Sequence, residues 1–129
     1  MPSVAATVVV LHSEAAVLEL AEQALRDDGH HVLVTRDPRE LLELARHLWV
    51  NVVVMDVRLL DGESIVRDLR AAQPHVRIVQ EVAVGESPLV PDPDIDVLTP
   101  PFTLAHLRKA VSAALGARPA ARAAGRRVA

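Results

Sequence analysis

A short β-branched, apolar run followed by a helical pattern recurs about five times along the chain, and this rhythm limits the fold more than any other feature. Such alternation is typical of strand–helix units that feed a parallel sheet. The predicted strands cover residues 7–11, 31–35, 50–55, 76–82 and 95–98. The third run, VNVVVM, is apolar apart from Asn51, as expected of a central strand covered on both faces. The sequence therefore predicts an α/β domain with a parallel sheet.

The segments between these strands carry helix-end signals. Ser13 is predicted to cap a first helix over residues 14–28, which Gly29 ends. Asp37 is predicted to cap the second helix and Thr103 the last one. These signals support helices alternating with the strands.

Two segments break the pattern. Between the fourth and fifth strands, Pro88, Pro91 and Pro93 forbid a regular helix interior, so the fourth helix is expected to be degenerate or absent. The end of the chain is rich in alanine and arginine and lacks the large apolar residues that dock a helix. We therefore expect one domain over residues 1–115 and a disordered basic tail or linker stub over 116–129.

Composition excludes several classes of protein. The chain has no cysteine, so disulfides and thiolate metal sites are ruled out. No apolar run is long enough for a bilayer span and no signal peptide is apparent, so a cytoplasmic protein without a membrane partner is expected. The net charge of −3 and the presence of one tryptophan and one phenylalanine argue against nucleic acid as a partner of the domain.

Two stretches resemble the receiver domain of bacterial response regulators. The run VVVMDVRLLDGES from Val52 to Ser64 resembles the segment in which a central strand delivers the phosphoacceptor aspartate, and Asp56 falls on that position. His12 and Ser13 end the first strand, where receivers carry two adjacent acids, and the interval to Asp56 is the family's interval. The resemblance is therefore aligned at two points.

Two later stretches extend the resemblance. Residues 74–85 resemble the fourth strand, with Val82 where receivers have threonine or serine. The run LTPPFTL resembles the family's Leu-Thr-Lys-Pro-Phe element, with Pro100 at the lysine position and Pro101 on the following proline. The resemblance implies a cis bond before Pro101. Val97 stands where receivers often carry an aromatic residue.

The resemblance implies a flavodoxin-like, doubly wound, five-stranded parallel sheet of order 2-1-3-4-5. The first and third strands are neighbours in that order. His12, Ser13 and Asp56 should therefore share a pocket at the carboxyl edge of the sheet. Gln80 and Glu81, a polar pair in an otherwise apolar fourth strand, are expected to send one side chain towards whatever replaces the fourth helix.

Four of the chemical groups that the resemblance requires are replaced. Mg²⁺ is usually held by carboxylates, and neither His12 nor Ser13 supplies one. Pro100 has no charge for a phosphoryl group, and Val82 has no hydroxyl. No catalytic residue and no cofactor or metal are therefore predicted, and Mg²⁺ binding is expected to be weak or absent.

The leading hypothesis is a pseudo-receiver that acts as a phosphorylation-independent interaction module, not an enzyme, in signalling or transcriptional regulation. Its partner would be a protein of that pathway, and self-association to a homodimer stays open. One alternative is a phosphorylatable receiver that accepts a phosphoryl group on Asp56. Another is an anion- or pH-sensing module at the pocket of His12, Ser13 and Asp56.

Overall fold

The computed structural model describes residues 6–56, 64–82, 96–98 and 103–116. Helices and strands alternate in the order β1 (Thr7–Leu11), α1 (Ala15–Asp27), β2 (His31–Thr35), α2 (Pro38–His47), β3 (Val52–Asp56), α3 (Ser64–Ala72), β4 (Arg77–Glu81), β5 (Asp96–Leu98) and α4 (Leu104–Gly116). The strands form one parallel five-stranded sheet of order β2-β1-β3-β4-β5. The predicted fold class and strand order are confirmed.

Valine-rich central strands bury both faces of the sheet, because helices cover both sides. On one face, here called the α1/α4 face, the strand residues Val8, Val10, Val52, Val54 and Val79 pack with Leu18, Leu25, Leu107 and Val111. On the other, the α2/α3 face, Val9, Leu11, Val53, Met55 and Ile78 pack with Leu41, Ala45, Val66 and Leu69. Alternate residues of each strand thus enter two separate cores.

The helix ends follow the sequence signals with one exception. The Asp37 side chain accepts a hydrogen bond from the Arg39 amide at 2.9 Å, and Thr103 Oγ1 accepts one from the His106 amide at 3.1 Å. Gly29 has a φ of 91°, a conformation that glycine adopts without strain. The predicted cap at Ser13 is wrong.

The residue that caps α1 is Glu14, whose side chain makes no capping hydrogen bond. The Glu14 amide donates instead to Nδ1 of His12, at 3.0 Å. An imidazole nitrogen two residues earlier in the chain thus accepts this amide hydrogen bond, and α1 begins one residue later than predicted.

The buried side-chain amide of Gln73, here called the Gln73 hub, bonds three backbone groups between α2 and β3. Gln73 Nε2 donates to the carbonyl oxygens of Ala45 and Leu48, each at 2.6 Å, and its Oε1 accepts from the Val50 amide at 3.3 Å. The hub ties the end of α3 to the connection between α2 and β3.

Trp49 lies in that same connection, at the amino edge of the sheet. The Trp49 ring stacks on the ring of His75, with centroids 3.5 Å apart.

An exposed ion pair joins α1 to α4. Nε of Arg108 donates to both carboxylate oxygens of Asp28, at 3.1 and 3.0 Å, and Nη2 of Arg108 also contacts Asp28. The hydrogen bond from Arg108 lowers the pKa of the Asp28 carboxyl, against the opposing effect of burial. The same pairing raises the pKa of the Arg108 guanidinium.

Three predictions fall outside the described residues. These are the degenerate fourth helix, the cis bond between Pro100 and Pro101, and the disordered tail over 116–129, of which the structure describes Gly116 alone, as the last residue of α4. Among the helices that the structure does describe, none combines the length and apolar character needed to cross a membrane.

Candidate functional site

Three strands end side by side and bring together three ionisable side chains. His12 directly follows β1, Asp56 is the last residue of β3, and Glu81 is the last residue of β4. Asp56 and Glu81 are register partners. Since Val54 and Val79 two positions earlier lie in the α1/α4 core, the alternation of side chains places both carboxylates at the carboxyl edge of that face.

The three side chains form a compact, buried group, here called the rim cluster. Nε2 of His12 lies 2.9 Å from Oε1 of Glu81 and 3.8 Å from Oδ2 of Asp56. One potential ligand atom from each residue falls within 4.8 Å of the other two. His12, Asp56 and Glu81 are only 3%, 1% and 6% exposed. A nitrogen and two carboxylates therefore meet away from solvent.

The backbone around His12 fixes the direction of its ring. The His12 amide donates to the Thr35 carbonyl oxygen at 3.2 Å, which anchors the residue to the end of β2. On the ring, Nδ1 accepts from the Glu14 amide and so must be unprotonated in this arrangement. The neutral ring then carries its proton on Nε2, the atom that faces the carboxylates.

The structure brings together only part of the predicted pocket. His12 and Asp56 are neighbours, as the order of β1 and β3 implied, and Ser13 follows His12 in the chain and is half-buried. Val82 is buried and its amide donates to the Leu98 carbonyl oxygen at 2.8 Å. Its side chain offers no polar group to the site.

The other predicted positions contribute less. The backbone of Val97 belongs to β5, and its side chain is not among the described parts of the chain. Pro100 and Pro101 lie outside the described residues. Within the described residues, His12 lies beside Asp56 and beside a third residue that the sequence analysis did not place in the pocket. The carboxylate closest to His12 belongs to Glu81.

The sequence analysis named Glu81 as one of a polar pair, of which one side chain was expected to point towards whatever replaces the fourth helix, and did not include it in the pocket. Both Gln80 and Glu81 are buried, and Glu81 points into the rim cluster. The available signal was a carboxylate at the end of a strand next to the one that ends in Asp56. The signal was incomplete, because the register of β3 against β4 decides whether Glu81 lies beside Asp56. The sequence alone does not specify that register.

The rim cluster does not fit Mg²⁺. This ion favours octahedral coordination by oxygen and usually retains several waters. Here one of the three donors is an imidazole nitrogen, and Ser13 replaces a second acid. A donor set of one nitrogen and two carboxylates in a buried pocket suits a different class of cation.

Comparison with known proteins identifies the family. The family model for the response regulator receiver domain matches residues 8–92. A response regulator receiver protein from Sinorhizobium medicae WSM419 is 30% identical, with a TM-score of 0.77 over 88% of this chain and 97% of that one. The chain therefore belongs to the response regulator receiver family, whose members act in two-component signalling.

Other solved structures agree with this assignment. Full-length FixJ from B. japonicum is 26% identical, with a TM-score of 0.77 over 93% of this chain and 63% of that one. A response regulator from Thermotoga maritima, 20% identical with a TM-score of 0.71 over 88% of this chain and 100% of that one, shares the fold. No curated protein matches the sequence.

Proposed function

We propose that this receiver domain is a pseudo-receiver, a module that binds its signalling partner without being phosphorylated. The observation that carries the proposal is the state of Asp56, which is 1% exposed and has the His12 ring 3.8 Å away. A phosphoacceptor must be reached by a phosphodonor and a cation together. Here Asp56 is closed to solvent, and His12 stands where the family carries an acid that would help to hold Mg²⁺.

The loss of switching groups supports the same proposal. Val82 has the shape of threonine without the hydroxyl that could bond a phosphoryl oxygen. Its amide is engaged with Leu98 of β5, so backbone pairing holds the end of β4 to the next strand. Pro100 has no amine to place a positive charge on a phosphoryl group.

The two alternatives are less well supported. Asp56 does occupy the phosphoacceptor position, but the donor set around it does not fit Mg²⁺. An anion sensor at the start of α1 would need free amides, and the Glu14 amide already donates to His12. A non-enzymatic, cytoplasmic interaction module with a protein partner therefore remains our proposal.

Incubation with acetyl phosphate and Mg²⁺, followed by intact mass spectrometry, tests the proposal. We expect no acid-labile phosphoryl adduct on the full chain, and the same result for Asp56→Asn. A stoichiometric adduct that maps to Asp56 and is lost in the Asn variant would contradict the pseudo-receiver assignment.

Restoring the missing groups provides a positive control. Pro100→Lys alone should leave the chain unmodified, because the groups of a phosphorylation site act as a unit. Combining it with His12→Asp, Ser13→Asp and Val82→Thr should give a detectable adduct. Modification by Pro100→Lys alone would show that only the lysine had been missing.

A further inference from the structure

We propose that His12, Asp56 and Glu81 bind a borderline divalent transition-metal ion of the Zn²⁺ class. The site is distinct from an acid-pair Mg²⁺ site in its ligands: a nitrogen from the end of β1 and a carboxylate from the end of β4 join Asp56. The inference goes beyond the proposed function, since a pseudo-receiver can exist with or without such a metal.

The separations of the three ligand atoms suit a small tetrahedral ion. Ligands at about 2.0–2.1 Å from Zn²⁺ lie roughly 3.3 Å from one another at the corners of a tetrahedron. Here Nε2 of His12 is 2.9 Å from Oε1 of Glu81 and 3.8 Å from Oδ2 of Asp56. Adjustments of under about 1 Å, within the reach of side-chain rotation, would bring these two separations to that value.

The scaffold holds the ligands in place. Each comes from the end of a different strand, and β1, β3 and β4 are paired in the centre of the sheet. Asp56 and Glu81 are held in register by the β3–β4 ladder. Donors carried by paired strands are better positioned than donors carried by loops, so less order has to be created on binding.

The chemistry of the donors selects among cations. Zn²⁺ and related ions accept both imidazole nitrogen and carboxylate oxygen as ligands, whereas Mg²⁺ and Ca²⁺ favour oxygen alone. Three protein ligands leave a fourth position for water or another small ligand, as in open Zn²⁺ sites. Selectivity for Zn²⁺ or Co²⁺ over Mg²⁺ is therefore expected.

Metal binding requires one local rearrangement. Nε2 can bind the ion only after its proton moves to Nδ1, and Nδ1–H can no longer accept from the Glu14 amide. The ring exchanges its bond from the Glu14 amide and its Nε2–H contact with Glu81 for a metal bond, and it stays neutral. The Glu14 amide thus reports on the state of the ring, because its hydrogen bond to Nδ1 is lost when that nitrogen gains the proton.

Titration of the full chain with Zn²⁺ and Co²⁺ tests the site. We expect one equivalent of Zn²⁺ to bind by calorimetry, Co²⁺ to show ligand-field absorption that Zn²⁺ abolishes, and excess Mg²⁺ to compete poorly. His12→Gln and Glu81→Gln should each weaken binding at least tenfold. The matched control is His47→Gln, because exposed His47 also lies near a glutamate, Glu43, and its loss should leave binding unchanged.

Nuclear magnetic resonance of the wild-type chain gives a test that does not depend on how the variants fold. Zn²⁺ should shift the Glu14 amide, and Co²⁺ should broaden signals around residues 12, 56 and 81. Absence of binding, equal competition by Mg²⁺, or broadening centred on His47 would each overturn the metal site. None of these outcomes alters the phosphodonor assay, so the metal site and the pseudo-receiver proposal fail separately.

Discussion

The Gln73 hub and the rim cluster are two buried polar groups at opposite edges of one sheet, and they differ in what their side chains contact. The hub is a neutral amide that bonds three backbone groups, from Ala45, Leu48 and Val50. The rim cluster is made of ionisable side chains that face one another. A buried amide that satisfies the backbone mainly supports the fold, because each backbone group would otherwise be buried without a partner.

In the rim cluster, Nδ1 of His12 accepts a hydrogen bond from the Glu14 amide, and Nε2 faces the carboxylates of Asp56 and Glu81. Burying an imidazole and two carboxylates together costs solvation free energy, whereas three apolar side chains in the same place would carry no such cost. A cation bound between the two carboxylates would offset part of that cost, and the separations of the three ligand atoms are the basis of the metal proposal.

Replacing Gln73 should have the largest effect on stability. Gln73→Ala leaves two carbonyl groups and one amide without their partner, and we expect a loss of about 2–4 kcal/mol in the free energy of unfolding. Urea unfolding followed by circular dichroism measures this loss. Gln23→Ala is the control, because exposed Gln23 bonds Asp27 on the same helix and its loss should change stability by less than about 0.5 kcal/mol. Equal losses in the two variants would remove the special role of the hub.

A double-mutant cycle on His12 and Glu81 should show a smaller effect. We expect His12→Gln to cost about 1–2 kcal/mol, since the Glu14 amide loses its acceptor, and the coupling energy with Glu81→Gln to be about 1 kcal/mol. Unfolding in metal-free buffer with a chelator measures both. A loss from His12→Gln as large as that from Gln73→Ala would show that the rim cluster supports the fold as much as the Gln73 hub does.

The exposed pair of Asp28 and Arg108 should have the smallest effect, and one that depends on pH. Arg108 holds the pKa of Asp28 below its ordinary value of 3.8, so the pair contributes stability above that pH and loses it as pH falls through the lowered value. Asp28→Asn should reduce the melting temperature by roughly 1–3 °C at pH 7, and by nothing at pH values below the folded pKa. Glu43→Gln, in a more exposed pair, is the control. A difference that persists unchanged in acid would contradict this assignment.

Much of the fold could be predicted because its signals are local. The β-branched runs marked the strands, and Asp37 and Thr103 marked helix starts that hydrogen bonds then confirmed. The family resemblance supplied the strand order, which periodicity alone does not specify. The meeting of His12 and Asp56 followed from that order.

The rest of the site depends on distances between elements. Glu81 reaches the rim cluster because β3 and β4 pair with Asp56 opposite Glu81, and a one-residue shift would send it to the other face. Ser13 is not the helix cap because α1 begins one residue later, at Ala15, with Glu14 as its N-cap and the Glu14 amide donating to the ring of His12. A difference of one residue in where a helix begins depends on side-chain geometry, which a sequence pattern does not contain.

The stack of Trp49 on His75 gives the molecule an optical signal of its own. Trp49 is the only tryptophan and is 65% exposed, so fluorescence emission from indole reports on one location. That location is at the amino edge of β3, whereas the rim cluster is at the carboxyl edge, roughly 17 Å away along a strand of five residues. Emission that changes when a ligand binds at the rim would therefore measure whether the central strand transmits an event from one edge of the sheet to the other.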